Sequence, residues 1–364
     1  MSQPLPPSHL AATLVALLLA LAPLSTTAQG FAGLGTTAEG FAQPTPGTPL
    51  TFPADHAAHP AYRIEWWYLT ATLTAADGTP LGAQWTLFRS ASAPNEGTNT
   101  GWSSPQVWMG HAAVTTPSAH YATERLARGG TGQAGVTAAP FSAFIDDWQM
   151  TSTAPAPADP LSALRLTASA PQFTYDLALT ASAPLTLHGD AGYSVKSAAG
   201  QASYYYSQPF YNVTGTLALP SGPMQVTGEA WLDREWSSQP LADNQDGWDW
   251  VSLSFTSGAR LMGFRLRQTD GTAFTSATWI TPEGRATAYP DGALTLTPLA
   301  ESPTSGATVP TTWRVTLPAR GVDTTLTALN PNAWMDVSFP YWEGPVAITG
   351  SHTGRGYLEM TGYD

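Results

Sequence analysis

Apolar side chains recur at every second position along most of this chain, a period that admits strands and little else. Trp67, Leu69, Ala71 and Leu73 alternate with Tyr68, Thr70, Thr72 and Thr74 before a turn at Asp77-Gly78. Phe173, Tyr175, Leu177 and Leu179 repeat the pattern, as do Val251, Leu253 and Phe255, and Trp313, Val315 and Leu317. Successive side chains of a strand point to opposite faces, so these runs read as half-buried antiparallel strands. One short helix is expected, from Ser118 as N-cap to about Arg128. Many short strands with turn residues between them imply an all-β fold of barrels or sandwiches.

A weak internal repeat divides the chain. Trp67 leads through a strand to Asp77-Gly78 and on to Leu87-Phe88-Arg89; Trp250 leads likewise to Ser257-Gly258 and on to Phe264-Arg265-Leu266-Arg267. Pro220-Ser221-Gly222-Pro223 breaks the pattern, placing one β domain at residues 51–220 and a second at 221–364. Ahead of them, the apolar run Leu10 to Leu24 and the small residues Thr26-Thr27-Ala28 read as a signal peptide over residues 1–28, and residues 29–50 as a flexible leader. The run is too short to span a bilayer and no later segment qualifies, so a secreted, periplasmic or cell-envelope protein without a transmembrane segment is expected.

Cysteine is absent, which removes disulfides, thiolate metal sites and cysteine nucleophiles; 14 Trp, 13 Tyr and 12 Phe leave burial of aromatic surface to supply stability. The net charge is −12 and Lys196 is the single lysine, so nucleic acid is excluded as a partner. No nucleophile elbow, phosphate loop, dinucleotide fingerprint or zincin helix is present, and no cofactor or metal is expected.

Chemistry concentrates where carboxylates meet tryptophan: Glu65-Trp66-Trp67-Tyr68, Trp231-Leu232-Asp233-Arg234-Glu235-Trp236 and Trp248-Asp249-Trp250. An acid pressed against indole loses water and its pKa rises, which suits a general acid or a structural acid paired with arginine. By strand parity Glu65 and Asp249 head apolar faces and look into a barrel. Arg89 shares that direction with Glu65, so the two are expected to form a structural ion pair, with Trp67 completing a plug. Arg265 and Arg267 are expected to face solvent, leaving Asp249 without a cation. Asp233 and Glu235 share one strand face, about 6.6 to 6.8 Å apart between Cα atoms. Asp249 and Asp233 are therefore the candidate acids, with Glu235 or His59 as base. Trp231, Trp236, Trp248, Trp250, Tyr205 and His56 are candidate ligand contacts. His56 and His59, in a loop, suit hydrogen bonding at a barrel mouth better than metal ligation, and His111 within a strand is a core histidine or a ligand contact.

At these residues the chain resembles the AttH and carotenoid 1,2-hydratase (CrtC) family. Phe52-Pro53-x-Asp55-His56-x-x-His59-Pro60, Glu65-Trp66-Trp67-Tyr68, Gln84-x-x-Leu87-Phe88-Arg89 and Tyr204-Tyr205-Tyr206-Ser207 are similar to its first domain. Trp231-x-Asp233-x-Glu235-Trp236, Gly247-Trp248-Asp249-Trp250, Leu261-Met262 and Gly356-Tyr357-Leu358-Glu359-x-Thr361-Gly362-Tyr363 are similar to its second. The resemblance implies two lipocalin-like β-barrels side by side and a hydrophobic small-molecule partner such as an isoprenoid, carotenoid or lipid. The activity it implies is hydration of a carbon–carbon double bond, by carboxylic-acid protonation and water capture, with hydrolysis a less favoured third reading. A non-catalytic lipid or pigment carrier stays open beside that reading.

Overall fold

The computed structural model describes residues 38–94 and 101–363. The expected signal peptide and the start of the leader lie outside the described residues. The later part of the leader is attached to the protein: Ala42 N–H bonds the Ala61 carbonyl at 2.9 Å, Thr45 N–H bonds the Tyr204 hydroxyl at 2.9 Å, and Leu50 packs on the first core.

Strand alternation builds two antiparallel sheets, one of 13 strands curled into a nearly closed lipocalin-like barrel and one of 10 curled into a half-barrel, called the second barrel below. In the first, β1 (Ile64–Ala75) pairs with β2 (Pro80–Ala91), β2 with β3 (Gln106–Thr115), and β3 with β4 (His120–Arg128). On its other edge β1 pairs with β13 (Gly222–Ser237), which forms a long hairpin with β12 (Ala202–Leu219). The break at 220–223 is thus the turn of a hairpin, and the first sheet continues to Ser237 instead of ending at residue 220. The second sheet is centred on β14 (Gln245–Phe255), flanked by β15 (Arg260–Gln268) and β23 (Gly354–Met360), with β16 (Ala273–Ile280) beyond β15 and β22 (Tyr341–Gly350) beyond β23.

The helix expected over 118–128 is a strand, β4. Thr116, Pro117, Ser118 and Ala119 form the hairpin turn, with Thr116 N–H on the Ala119 carbonyl at 2.8 Å, so Ser118 caps no helix. Ala, Glu, Leu and Arg favour helix locally, but β3 presents an open edge whose amides and carbonyls need partners, and tertiary pairing overrides propensity. The period of two is present once sought. Tyr121 and Ala127 face the first core, with Arg125 over the Trp148 ring at 4.4 Å, while Ala122 and Leu126 face the other way.

Both faces of the central strands are covered. Trp67, Leu69, Ala71 and Leu73 fill the first barrel, and Val251, Leu253 and Phe255 fill the second. The intervening residues, Tyr68 on β1, Trp231 on β13, Trp250 on β14 and Phe264 on β15, form a third cluster between the barrels. Gly82 permits the close approach there, since a Cβ at that position would lie 2.5 Å from the Tyr357 hydroxyl and 2.8 Å from Pro345. Arg355, hydrogen-bonded to Thr74 Oγ1 at 2.8 Å, and the Arg260–Glu229 ion pair at 2.7 Å fasten the two sheets together.

Candidate active site

Where the outward faces of the two sheets do not quite meet, they enclose a cavity of about 230 Å³. The walls are aromatic and aliphatic. Trp66, Tyr68, Phe88 and Met109 come from the first barrel, and Trp248, Trp250, Phe264 and Leu266 from the second. Val107, Leu126 and Phe339, each 41 to 55% exposed, form an apolar rim. Polar groups are few and localised, as in a site for an apolar ligand with a small number of directing contacts.

Asp233 and Glu235 lie on the cavity face of β13, because that strand alternates between the barrel interior (Leu232, Arg234, Trp236) and the space outside it. Asp233 accepts hydrogen bonds from the Tyr205 hydroxyl at 2.6 Å, the Trp231 indole N–H at 2.5 Å and the Ser207 hydroxyl. Tyr205 is held in turn by the Trp250 indole at 3.1 Å. No basic side chain pairs with Asp233 among the described residues, and burial pushes its carboxyl up to about 7 despite the three donors. Glu235 is in a different state: Lys196 Nζ sits 2.7 Å from it and Ser203 donates to the same oxygen. Two carboxyl groups side by side on one strand are thus distinguished, one by neutral donors and one by a cation.

Behind Asp233 runs a hydrogen-bonded chain. The Ser207 hydroxyl is 2.6 Å from His188 Nε2, and His188 Nδ1 is 2.9 Å from the Thr278 hydroxyl on β16. Burial and the charge of Lys196 lower the His188 pKa to about 3, so the ring is neutral at physiological pH. A hydroxyl, a neutral imidazole and a second hydroxyl can each give or take a proton, so the chain runs toward an ionised Asp233 or away from a protonated one. In a hydrolytic triad the imidazole stands between hydroxyl and carboxylate; here the hydroxyl stands between the other two.

The opposite wall carries a second acid pair. Glu343 of β22 and Glu359 of β23 are direct cross-strand partners, and Glu359 lines the cavity. Tyr68 donates to Glu343 at 2.7 Å and the Trp248 indole to Glu359 at 2.5 Å. Burial, then the facing Glu359, push the Glu343 carboxyl well above the usual carboxylate range, and burial pushes Glu359 up to about 7. His111 closes the side of the cavity, 3.0 Å from the Tyr341 hydroxyl and 3.1 Å from Glu124; its burial lowers its pKa more than Glu124 raises it.

The remaining residues singled out in the sequence lie elsewhere. Glu65 is buried inside the first barrel, ion-paired with both Arg89 and Arg234, and its burial is outweighed by these guanidinium groups together with His59, which hold its carboxyl below the usual range. The cation on Trp67 is Arg234, 3.9 Å from the ring centroid, instead of Arg89. His59 stacks flat on Trp236 at 4.0 Å beside Glu65, and His56 bonds the Tyr206 hydroxyl at 2.7 Å; all four rings belong to this plug. Asp249 occupies the equivalent place in the second barrel. Arg265 and Arg267, expected in solvent, reach it at 3.0 and 2.6 Å. The register explains this: Asp249 stands directly opposite Arg265, as Glu65 stands opposite Arg89, and cross-strand partners share a face. The apolar set Met262, Phe264 and Leu266 points between the barrels, so the opposite face of β15 is barrel interior rather than surface. Of the candidate residues, Asp233, Glu235, Tyr205, Trp248, Trp250 and His111 meet at the cavity and Trp231 touches it through Asp233, whereas Asp249, His56, His59 and Trp236 do not. Lys196, His188, Ser207, Glu343 and Glu359 escaped sequence reasoning. Lys196 carried a signal as the only lysine, and Ser207 and Glu359 lie in segments that resemble the AttH family; His188 and Glu343 carried none.

Two lipocalin-like barrels clasping an acid-bearing aromatic cavity define the class. The AttH-like family model matches residues 43–363, and the chain belongs to that family. A crystal structure of a candidate AttH from Nitrosomonas europaea is 33% identical, covers 89% of this chain and 100% of its own, and has a TM-score of 0.78. Kievitone hydratase from Nectria haematococca shares the fold at 14% identity, with coverage of 90% and 98% and a TM-score of 0.65. CghA, solved with Sch210972, does so at 12% identity, with coverage of 90% and 97% and a TM-score of 0.52. Curated proteins gave no match.

Proposed function

We propose that this protein is an exported hydratase-type enzyme that adds water to a carbon–carbon double bond of an isoprenoid, polyene or similar lipid held between the barrels. The observation that carries the reading is the unequal acid pair on the cavity face of β13: Asp233 held by neutral donors, Glu235 held by Lys196. Asp233 in its carboxylic-acid form gives its proton to one alkene carbon, the π pair forms the new C–H bond, and the other carbon becomes cationic. The indole faces of Trp248 and Trp250 stabilise that cation. Water adds to it, and the Glu235 carboxylate takes the proton that water releases. Exchange with solvent then returns Asp233 to its acid form and Glu235 to its anion. His188 acts as a positioning residue, since reversal of the Thr278–His188–Ser207 chain accommodates both states of Asp233 without creating a charge.

The hydratase named for kievitone among the structural neighbours supports a small-molecule substrate. The exposed apolar rim of Val107, Leu126 and Phe339 favours a second reading, a carrier that takes a lipid from a membrane and releases it unchanged. Incubation with a panel of isoprenoids, carotenoids and lipids in isotope-labelled water separates the two by mass spectrometry. A product bearing the label, lost in Asp233→Asn, supports hydration; co-purifying ligand without labelled product supports the carrier.

A further inference from the structure

The buried acids of this protein divide by their partners. Glu65 and Asp249 pair with arginines and Glu235 with Lys196, whereas Glu343 and Glu359 pair with no cation among the described residues. These two stand directly opposite each other on neighbouring strands, where like charges repel, so they ionise one at a time. Glu343 is 1% exposed and one of its oxygens has no hydrogen-bond partner. It shares a strand face with Tyr341, which lines the cavity, and Glu359 opens directly onto the cavity beside Trp248.

We propose that the Glu343–Glu359 pair is a subsite for a positively charged nitrogen, the ammonium head of a lipophilic amine whose apolar part lies against Trp66, Trp248 and Trp250. A neutral polar head needs only a hydroxyl or an amide opposite it. Two acids without a resident cation, next to indole faces in a largely dry space, are a site for positive charge. Lys196 does not fill that role, being bound to Glu235 and lying over the Phe264 ring at 4.3 Å. The chain's net charge of −12 draws cations toward it. The other titratable groups around the pair are Tyr68 on β1, Tyr341 on β22, Tyr357 on β23, Tyr175 of the first barrel, and Asp233 and Glu235 across the cavity on β13, none of them cationic; His111 is held between Tyr341 and Glu124. An ammonium favours the ionised pair, so its binding near neutral pH releases a proton from the pair to buffer.

The inference rests on the reading that the cavity holds the ligand, and its test needs no turnover. Calorimetry with n-octylamine and n-octanol, in buffers of differing ionisation enthalpy, compares a cationic and a neutral head on one chain. The amine remains protonated throughout, its pKa being close to that of a lysine. At about pH 8 octylammonium should bind about 10-fold or more tightly than octanol. Near pH 7 its binding should release a fraction of a proton, and at about pH 5, with both acids protonated, the advantage should shrink severalfold. Glu359→Gln should abolish the advantage and leave octanol binding in place. Equal affinities at about pH 8, or an advantage that persists unchanged at about pH 5 or in Glu359→Gln, would overturn the proposal; the wild-type comparison suffices if the variant does not fold. Preference for the amine in a protein that hydrates nothing would keep the subsite and remove the hydratase reading. Hydration without that preference would do the reverse.

Discussion

The plugs inside the barrels and the cavity between them are built from the same ingredients, buried carboxyl groups next to tryptophan, and end in opposite electrostatic states. Inside, Glu65 meets Arg89 and Arg234, and Asp249 meets Arg265 and Arg267. In the cavity, Asp233 meets a tyrosine, a serine and an indole, and Glu359 an indole and another acid. Contact with tryptophan therefore says only that an acid is dry. The partners that reach it, weighed against that burial, decide whether it is a fixed anion or a proton carrier. Asp249 is the instructive intermediate: its burial outweighs even two arginines and leaves its pKa raised, yet its place inside a filled barrel keeps it from any ligand.

The sharpest way to break this contrast is to remove a plug acid. Glu65→Gln leaves two guanidinium groups without their anion and should destabilise the first barrel by about 3 to 5 kcal/mol, read from urea unfolding. Arg89→Met should cost a comparable amount, and the double variant should recover part of the loss; strict additivity would show that the pair is not coupled. Next in size is the exchange of roles between acids. Asp233→Asn should lower turnover on whichever alkene the labelled-water assay identifies by about 100-fold or more, with the fold intact. Asp249→Asn should lower the melting temperature and leave the turnover of folded protein near wild type. The reverse result would move the reacting acid into the second barrel.

A smaller effect separates the two regions by pH. Asp233 and Glu359 retain protons up to about 7 in the folded state, whereas unfolded they release them near 4. The folded protein then holds more protons across that window, so stability falls as pH rises from about 4 to 7 and levels off above it. Glu65 has the opposite sign: its depressed pKa contributes stability above its unfolded value, lost only in strong acid. Unfolding free energies from urea at about pH 5 and 7 should differ by about 2 kcal/mol for each of the two acids in favour of the lower pH, with one such share missing in Asp233→Asn. A flat profile would mean that the cavity acids are ionised in the folded protein. The least effect is expected of Ser207→Ala. Removing a donor that lowers the Asp233 pKa should move the alkaline limb of the rate profile up by about one pH unit, leaving its plateau in place.

Much of the fold was legible because a period of two is a local signal, and Trp67 to Leu73 or Val251 to Phe255 carry it without interruption. The segment 118–128 misled because its residues favour helix and the deciding partner, the edge of β3, is supplied by another part of the chain. For the site, parity placed Glu65 and Asp249 inside barrels and joined Asp233 to Glu235, but it could not tell a barrel interior from a second packed face. Met262, Phe264 and Leu266 look like a core, which by alternation points Arg265 at solvent; they are a core, but the one between the barrels, and the face opposite them is the barrel interior. Glu343 and Glu359 sit far from the tryptophan clusters of the first barrel and meet them only when the two sheets pack face to face.

The strand that carries Asp233 and Glu235 turns Arg234 into the first barrel, where it is clamped between Glu65 and the rings of Trp67 and Trp236. A chemical surface and a structural bolt thus occupy adjacent residues of one six-residue stretch, on opposite sides of a single layer of backbone. Such a stretch has little room to drift. A change that suits a new ligand on the outer side must leave the bolt seated, so diversification of this architecture should favour the rim and the second barrel's wall, and preserve the acid-bearing strand as an inherited anvil against which different molecules are pressed.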